Sequence, residues 1–477
     1  MSGTHRHKME LISTLTPHKI MSHSEMGASM RFLPDQRDPK VAIVGLGYVG
    51  SCMAAILTDR GLDVTGVDIN PDLVSELTQG HCRYQEDGLP DLLRSATEDG
   101  RLKVTADYAG VRDTDVVIIA VSTPVHEDGS LLDDQLRDAC LRLSAHLREG
   151  QLVLVKSTVP PGTTKGFVLP LLTASGLVAG EDFGLAFTPE RFAEGTALRE
   201  LRALPIAVGG INAESTQAAA DFWRRALDVR VIPMDSPEAA EIVKLADNWW
   251  IDLNIALANE LAKFCAKFDV DVLDVITAAN TVPKGSSNIN ILLPSIGVGG
   301  SCLVKDPWMV WHTARLRGLE IHTARVGREI NAEMPDYTAQ LIVNELVGVG
   351  KDPTESTVAI LGLAFKNDTG DLRATPVEGV ITALKKTGIQ VRAFDPLVDP
   401  VQAEEQLELR PVGTLDEAVR DADCVAVLAH HRDFANIDFA TLPVASSCLV
   451  LDGRAYYSKE KIAELRRLGY VYRGIGR

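Results

Sequence analysis

The sequence predicts an α/β protein in which two doubly wound parallel sheets are joined by a long central helix. Near residue 41 an apolar strand runs into a glycine-rich turn, which is typical of a nucleotide-binding βαβ unit. The same strand-and-turn pattern returns near residue 358. Between the two units, some thirty residues after Pro237 keep a helical pattern without glycine or proline. We therefore expect two Rossmann-like domains with a helical connection.

The composition narrows the class of protein before any motif is considered. The 477 residues carry a formal net charge of −17, which disfavours general binding to nucleic acid or to a membrane surface. Seven scattered cysteines are typical of a reducing compartment, and no apolar run reaches the ~18 residues of a transmembrane helix. Residues 1–38 lack a secretory apolar core, so we predict a disordered N-terminal extension on a cytoplasmic protein.

The first unit, predicted for residues 39–235, carries a dinucleotide-binding motif. Gly45, Gly47 and Gly50 directly follow the first strand, and Asp68 ends the next strand 18 residues beyond the last glycine. The glycines permit a tight turn and a close approach of pyrophosphate, which then lies at a helix N-terminus. Asp68 can accept hydrogen bonds from both ribose hydroxyls and would repel a 2′-phosphate. The motif therefore favours NAD over NADP.

Polar residues follow three later strands of this unit. Because ligands of open α/β sheets lie beyond the carboxyl ends of the strands, we expect these side chains to border the cofactor or the reacting group. Two glutamates spaced by four also suit a solvated helix surface, and the spacing alone leaves both interpretations open. The residues are Ser122, Thr123, Pro124, Ser157, Thr158, Glu190 and Glu194.

The central region, residues 236–346, is predicted to begin with a long helix. Ser236 and Pro237 form a typical helix start, and the following residues are apolar on several sides. Such a helix is expected to join the domains and to pack against a second copy of the chain. Lys244 and Asn248 lie one turn apart and could both point at a developing oxyanion. With Glu241 and Asp252 they could equally form a salt-bridged surface stripe.

A glycine-rich segment in the same region leads into a cysteine. Gly297, Gly299 and Gly300 precede Cys302, and Lys305 and Asp306 follow it. Glycines allow backbone to approach a bound molecule, and a nearby cation favours the thiolate form. The segment predicts a reactive nucleophile, although an isolated cysteine beside a turn is more often a buried core residue.

The third unit, residues 347–477, repeats the first. VAIVGLGYVG at 41–50 recurs as VAILGLAFKN at 358–367, and Asp395 corresponds to Asp68. The second and third glycines are lost, so we expect a different nucleotide in place of a second dinucleotide. Lys366, Arg373 and Arg454 suit its phosphates or hydroxyls. Residues 347–357 are predicted to be a linker.

Taken together, the chain resembles the nucleotide-sugar 6-dehydrogenase family, which includes the UDP-glucose and UDP-N-acetylhexosamine dehydrogenases. The resemblance covers about residues 40–475 in order. It rests on GLGYVG, STP, STVPPGTT, TPERFAEG, the helix with Lys244 and Asn248, GVGGSCLVKDP, FKNDTGDLRATP and the terminal DGR. It implies that a sugar C6 alcohol is oxidised to a carboxylate through a cysteine thiohemiacetal and thioester, with two NAD molecules accepting hydride.

The resemblance also implies roles for individual residues. Cys302 is the implied nucleophile, Lys244 and Asn248 stabilise oxyanions, and Asp306 positions the base or the attacking water. Relatives form dimers through the central helix, and no metal site is implied. Implied polar groups around the reacting carbon are Thr158, Glu190 and Glu194. Implied cofactor contacts are Gly45, Gly47, Tyr48, Val49, Gly50, Asp68, Ser122, Thr123, Pro124, Lys305 and Arg373. Implied substrate contacts are Phe192, Gly299, Lys366 and Arg454.

Departures from the family pattern bear on the substrate. Many relatives carry Pro-Gly before the glycine run and Pro after Cys-Leu, where this chain has Ser295 and Val304. Several acetamido-sugar enzymes have Gly-His-Cys with an upstream arginine, where this chain has Ser301 and Asn288. Ser301 with Lys305 favours UDP-glucose, whereas GVGG and DPW favour an acetamido sugar. UDP-glucose is the predicted substrate, with UDP-N-acetylmannosamine, UDP-N-acetylglucosamine or dTDP-glucose as alternatives.

Two other functions remain compatible with parts of the chain. A single-step hydroxyacid dehydrogenase would share the first unit and a helical lysine but would not need Cys302. A non-catalytic nucleotide-sugar sensor would bind both ligands without forming NADH, and the presence of Cys302, Lys244 and Asp306 disfavours it.

Overall fold

The first unit is built on an eight-stranded sheet in the computed structural model, which describes residues 32–34 and 37–477. Its strands are β1 (Val41–Val44), β2 (Val64–Val67), β3 (Leu102–Thr105), β4 (Val116–Ile119), β5 (Leu152–Val155), β6 (Gly184–Phe187), β7 (Ile206–Gly210) and β8 (Val231–Met234). Its helices are α1 (Tyr48–Asp59), α2 (Pro71–Thr78), α3 (Leu89–Glu98), α4 (Asp134–Ser144), α5 (Leu169–Leu172), α6 (Ala197–Leu201) and α7 (Ala213–Leu227).

The strand order of this sheet is β3-β2-β1-β4-β5-β6-β7-β8. Neighbouring strands are parallel except β6 and β7, which pair antiparallel, so the predicted parallel sheet carries one reversal. Along β1, Val41 and Ile43 pack into one apolar core while Ala42 and Val44 pack into the other. Helices cover both faces, which explains why the strands are apolar throughout.

The central region joins the two sheets through a 30-residue helix, as the sequence predicts. This helix is α8 (Pro237–Ala266), and Ser236 caps it by accepting a hydrogen bond from the Ala239 amide at 3.3 Å. Ala240 packs in a core of the first unit and Ala262 in a core of the second. The other elements are α9 (Val272–Ala279), β9 (Pro283–Lys284), β10 (Ser287–Asn288), α10 (Asp306–Leu316) and α11 (His322–Gly348).

The second unit contains a five-stranded, fully parallel sheet of order β12-β11-β13-β14-β15. Because α11 ends at Gly348, the start of the predicted linker at 347–357 is helical and its last residue belongs to a strand. The elements are β11 (Thr357–Leu361), α12 (Pro376–Lys386), β12 (Gln390–Phe394), α13 (Pro400–Leu407), α14 (Leu415–Val419), β13 (Cys424–Val427), β14 (Leu449–Asp452), α15 (Lys459–Arg467) and β15 (Val471–Gly474).

The internal repeat is visible in backbone geometry. Gly45 and Gly362 directly follow the first strand of each unit, with φ of +93° and +84°. The residue after each glycine donates its amide to the acid that ends the next strand, Asp68 or Asp395, at 2.7 Å in both cases. The two turns are therefore built alike.

The second turn lacks a dinucleotide site for two structural reasons. The helix α1 begins three residues after Gly45, whereas α12 begins only at Pro376, so no helix N-terminus stands behind the second turn. His431 Nε2 also lies 3.0 Å from Asp395, and it carries the proton because its Nδ1 accepts from the Asp368 amide at 2.8 Å. The imidazole therefore uses the acceptor oxygen of Asp395 to which a ribose hydroxyl would need to donate.

The beginning of the described chain corrects the predicted N-terminal extension. Phe32 and Leu33 are buried in the core of the first unit. Arg37 forms a fork with Asp115, with nitrogen–oxygen distances of 2.6 and 2.7 Å. The predicted disorder is thus wrong for residues 32–34 and 37–38, while residues 1–31 and 35–36 lie outside the described residues. Within the described ranges, no helix has both the length and the apolar character that crossing a membrane requires.

Candidate active site

The glycine turn after β1 has the shape that a dinucleotide requires. A Cβ on Gly50 would lie 1.9 Å from the Gly45 carbonyl, so only glycine lets α1 pack this closely against the turn. A Cβ on Gly47 would meet nothing within 4 Å, which leaves that position open to a ligand. The amides of Leu46 and Asn70 hold the Asp68 carboxylate at 2.7 and 2.9 Å. These residues fit NAD, with Asp68 fixed to accept from a ribose.

The strand ends place several predicted residues along one edge of the first sheet. Tyr48 and Val49 begin α1, and Ser122, Thr123 and Pro124 follow β4, the parallel neighbour of β1. Ser157 and Thr158 follow β5, the next strand. Ser157 Oγ donates to the Val121 carbonyl at 2.7 Å, which ties the two strand ends together.

Glu190 is held by a buried lysine that the sequence analysis did not single out. Lys156 directly follows the apolar strand β5, its side chain is 1% exposed, and its Nζ lies 3.0 Å from Glu190 Oε2. The other carboxylate oxygen accepts from the amides of Arg191 and Phe192 at 2.7 and 2.9 Å. The sequence signal that could have identified Lys156 is a charged residue directly after an otherwise apolar strand. Two amides therefore fix Oε1 of Glu190, while Oε2 lies at ion-pair distance from Lys156 without a hydrogen bond.

Cys302 lies four residues before the start of α10, and its backbone contacts a buried polar cluster. Cys302 is exposed, and its carbonyl accepts from the Asp306 amide at 2.9 Å. The fully buried Asp306 carboxylate accepts from Asn248 Nδ2 and, at 2.6 Å, from Lys305 Nζ. The fold thus brings Asn248 of α8 to the acid that lies four residues after Cys302. Lys305, which the resemblance assigns to cofactor phosphates, donates to Asp306.

The remaining members of the predicted helix face are buried, which excludes a surface stripe. Lys244 is buried, and among the described residues it has no hydrogen bond or ion pair. Glu241 accepts from the amides of Gly162 and Thr164, so it fixes the turn after β5. Asp252 pairs with Arg328 at 2.6 Å. Lys244 is the cation of this face that remains available to a ligand.

A second charged cluster connects the two units. Arg373 pairs with Asp371 and lies 3.3 Å from Glu194, while Lys366 Nζ donates to the Glu194 carbonyl at 2.6 Å. The Gly300 amide donates to the Arg373 carbonyl at 3.0 Å, and Arg373 is close enough to Cys302 for electrostatic interaction. Burial, and after it the charge of Asp371, raises the pKa of Glu194 to about 7.

The raised pKa of Glu194 predicts a pH-dependent stability. The folded state binds this proton more tightly than the unfolded state does, so protonated Glu194 contributes to the stability of the fold. That contribution to stability is fully present below the ordinary pKa of 4.5 and is lost as the pH rises through about 7. Glu194→Gln should therefore gain stability relative to the parent between pH 5 and 8, by about 1–3 kcal/mol after allowance for partial exposure. Thermal unfolding at several pH values measures this. Glu181→Gln, an exposed control, should show no trend, and a flat difference for Glu194→Gln would contradict the assignment.

A cavity of about 350 Å³ lies beside the cysteine segment, between α8 and the second unit. Three predicted substrate contacts line it, namely Gly299, Lys366 and Arg454, whereas Phe192 does not. A Cβ on Gly299 would lie 2.6 Å from Phe365 Cβ, so this glycine also permits contact between the segment and the second unit. Arg454 donates to the Phe365 carbonyl. Asn288 lies on the exposed β9–β10 hairpin and does not line the cavity.

No group of three or more His, Cys, Asp or Glu side chains is arranged for a metal ion within residues 32–34 and 37–477.

Comparison with known proteins identifies the three regions. Residues 39–227 match the NAD-binding domain of the UDP-glucose/GDP-mannose dehydrogenase family, residues 238–333 its central domain, and residues 359–459 its UDP-binding domain.

Relatives match over nearly the whole chain. A UDP-N-acetyl-D-mannosamine dehydrogenase of Pyrococcus horikoshii is 31% identical over 439 residues, which cover 92% of this chain and 99% of that protein. The structure of UDP-D-ManNAc dehydrogenase from Pyrococcus horikoshii is similar with a TM-score of 0.82 and 30% identity, covering 92% and 99% of the two chains. A UDP-glucose dehydrogenase from Pyrobaculum islandicum gives a TM-score of 0.81 and 28% identity, covering 93% and 99%. The chain therefore belongs to the UDP-glucose/GDP-mannose dehydrogenase family of NAD-dependent nucleotide-sugar dehydrogenases.

Proposed function

We propose that this enzyme oxidises the C6 alcohol of a UDP-N-acetylhexosamine, with N-acetylmannosamine as the first choice, to the uronic acid. One observation carries the choice of sugar: relatives from Pyrococcus horikoshii, Methanococcus maripaludis and Campylobacter jejuni, which share 31–34% identity over more than four fifths of the chain, are UDP-N-acetyl-D-mannosamine dehydrogenases. A relative from Ralstonia solanacearum at 32% identity is an NDP-N-acetyl-D-galactosaminuronic acid dehydrogenase, which also acts on an acetamido sugar. The sequence alone favours UDP-glucose through Ser301 and Lys305. We give the relatives more weight because sugar choice depends on an entire pocket, of which those are only two residues.

The chemistry requires covalent capture of a half-oxidised sugar. Loss of a hydride and a proton from the alcohol gives an aldehyde, which has no alcohol hydrogen to lose until a nucleophile adds to it. Addition of the Cys302 thiol gives a thiohemiacetal, loss of a second hydride and proton gives a thioester, and water releases the acid and the free thiol. NAD, when bound, accepts one hydride in each oxidation.

The catalytic residues divide into three tasks in this proposal. Exposed Cys302 supplies the nucleophile, and Lys244 with Asn248 stabilises the oxyanion at the reacting carbon. Asp306 positions the attacking water, and the donors Asn248 and Lys305 fix its carboxylate. Thr158, Glu190 and Glu194 are the other polar groups around the reacting carbon. The ion pair with Lys156 keeps Glu190 in place.

Binding is divided between the two units. In the first unit the cofactor contacts are Gly45, Gly47, Tyr48, Val49, Gly50, Asp68, Ser122, Thr123 and Pro124. In the second, Lys366 and Arg454 beside the cavity bind the nucleotide diphosphate, with Gly299 and Phe192 against the sugar. Arg373 connects the two sites because it contacts both Glu194 and the cysteine segment.

A panel of nucleotide sugars tests the proposal. NADH formed and sugar consumed are measured with UDP-N-acetylmannosamine, UDP-N-acetylglucosamine, UDP-glucose and dTDP-glucose. We expect two NADH per sugar and the highest kcat/KM with the mannosamine compound. One NADH per sugar would contradict the four-electron reaction.

UDP-glucose is the second candidate, and the structural similarity to the Pyrobaculum islandicum enzyme supports it. Clear preference for UDP-glucose in the same panel would establish it in place of the acetamido sugar.

We further propose that the protein forms a homodimer through α8. Trp250, Leu257 and Phe264 are seven residues apart on this helix and are 50%, 51% and 63% exposed. This spacing places them on one face, and large exposed apolar faces of this kind are typical of interfaces. Leu257→Arg should weaken the dimer by about 100-fold or more, as measured by sedimentation. Leu316→Arg, at a 73% exposed leucine of α10, is the matched control and should remain dimeric.

A further inference from the structure

Three consecutive residues, Tyr84, Gln85 and Glu86, contact three separate parts of the active site. Tyr84 Oη donates to the carbonyl of Leu46 in the dinucleotide turn at 3.3 Å. Gln85 Oε1 accepts from the Gly370 amide of the second unit at 2.9 Å. Glu86 contacts residues 188–196, which we call the substrate loop because it contains Glu190, Phe192 and Glu194.

Glu86 is the most constrained of the three. Its side chain is buried, and no described lysine, arginine or histidine forms an ion pair with it. Two donors converge on Oε2: the Tyr48 hydroxyl and, at 2.6 Å, the Gly195 amide. A buried carboxylate without a cation is costly unless its hydrogen bonds compensate, so these two donors are the main stabilisation of Glu86.

Tyr48 extends this contact to the cofactor helix. It is the first residue of α1, and its ring packs edge-on against Phe192 at a centroid distance of 6.2 Å. Burial, and after it the bond to Glu86, raises the pKa of Tyr48 well above its usual range, so the hydroxyl keeps the proton that it donates. The carboxylate thus joins the beginning of α1 to the end of the substrate loop.

We propose that Glu86 is a positioning residue that fixes the substrate loop against the dinucleotide helix and thereby orients Glu190 and Glu194 at the reacting carbon. This inference rests on the proposed function, since that proposal gives the two glutamates their roles. In this proposal Glu86 acts through its two donors, Gly195 and Tyr48.

The test combines loop order with turnover in four full-length variants. Glu86→Ala removes the acceptor, and Glu86→Asp withdraws it by one methylene while keeping the charge. Glu86→Gln keeps an oxygen that can accept both bonds, and Asp87→Ala removes the exposed neighbouring carboxylate as a control. Hydrogen exchange of peptides covering 188–196 reports loop order, and steady-state kinetics report kcat and both KM values.

We expect Glu86→Ala and Glu86→Asp to exchange about tenfold faster at Gly195 and to lose about tenfold or more in kcat, with the KM for NAD changed less than about threefold. Glu86→Gln should stay within about threefold of the parent protein in both measurements. The control Asp87→Ala should be the same as the parent protein in both. Should Glu86→Ala fail to fold, the aspartate variant carries the test.

Two results would overturn the inference. One is unchanged exchange or unchanged kcat in Glu86→Asp. The other is a glutamine variant as impaired as the alanine variant, because charge would then matter in place of hydrogen-bond acceptance. If the parent oxidises no nucleotide sugar, the proposed function fails, and the exchange measurement then shows whether the contact with Glu86 orders the loop.

Discussion

Replacement of Cys302 by alanine should abolish formation of the uronic acid, with a loss of at least about 10,000-fold in turnover. Without the sulfur, the aldehyde has no protein nucleophile to make its carbon tetrahedral, so oxidation stops after one hydride. Product analysis together with NADH counting measures this, and at most one NADH per sugar is expected.

The control for this variant is Cys140→Ala, which removes a buried thiol of α4. It should retain normal turnover, because Cys140 packs in the apolar core of the first unit. Two NADH per sugar and full acid yield from Cys302→Ala would show that the thiol is not the nucleophile. A four-electron oxidation that does not pass through a thiohemiacetal of Cys302 would then be favoured.

Asp306→Asn should block the final hydrolysis, with a loss of about 1,000-fold in steady-state turnover. The amide lacks the negative charge with which Asp306 positions the attacking water, whereas both oxidations precede this step. We therefore expect a burst of two NADH per active site and a stable acyl adduct on Cys302. Rapid-mixing absorbance and mass spectrometry of the Cys302 peptide measure the two features.

Asp336→Asn, at an exposed position of α11, is the matched control for this substitution and should turn over normally. Loss of the burst in Asp306→Asn would show that the carboxylate acts before the thioester is formed. The change leaves Lys305 without its carboxylate partner, and the loss of such a partner lowers the stability of the folded state. The thermal unfolding of Asp306→Asn should therefore be measured together with its kinetics.

Local chemistry explains why much of the fold could be predicted from the sequence. The turns that follow the first strand of each unit are indicated by Gly45 and Gly362, because only glycine readily tolerates φ near +90°. Ser236 and Pro237 indicate the start of α8, because a hydroxyl cap and a proline suit the first turn of a helix. These signals involve neighbouring residues, so they can be seen in a single sequence.

The antiparallel β6–β7 pair and the buried Phe32 and Leu33 were missed for the opposite reason. Strand direction depends on how the chain crosses the sheet, and a short apolar segment at the edge of a polar terminus has no periodicity to reveal burial. The resemblance implies that Lys305 contacts cofactor phosphates, and only the structure adds that its ammonium donates to Asp306.

By itself, the sequence determined the two nucleotide-binding units, the helix between them and the cofactor, and it predicted the reactive cysteine segment. Tertiary structure alone decided the side-chain partners: Asn248 with Asp306, Lys156 with Glu190, and Glu86 with Gly195. The physical reason is distance along the chain. Turns and helix starts depend on adjacent residues, whereas a buried polar group takes as its partner whichever distant segment the packed core brings to it.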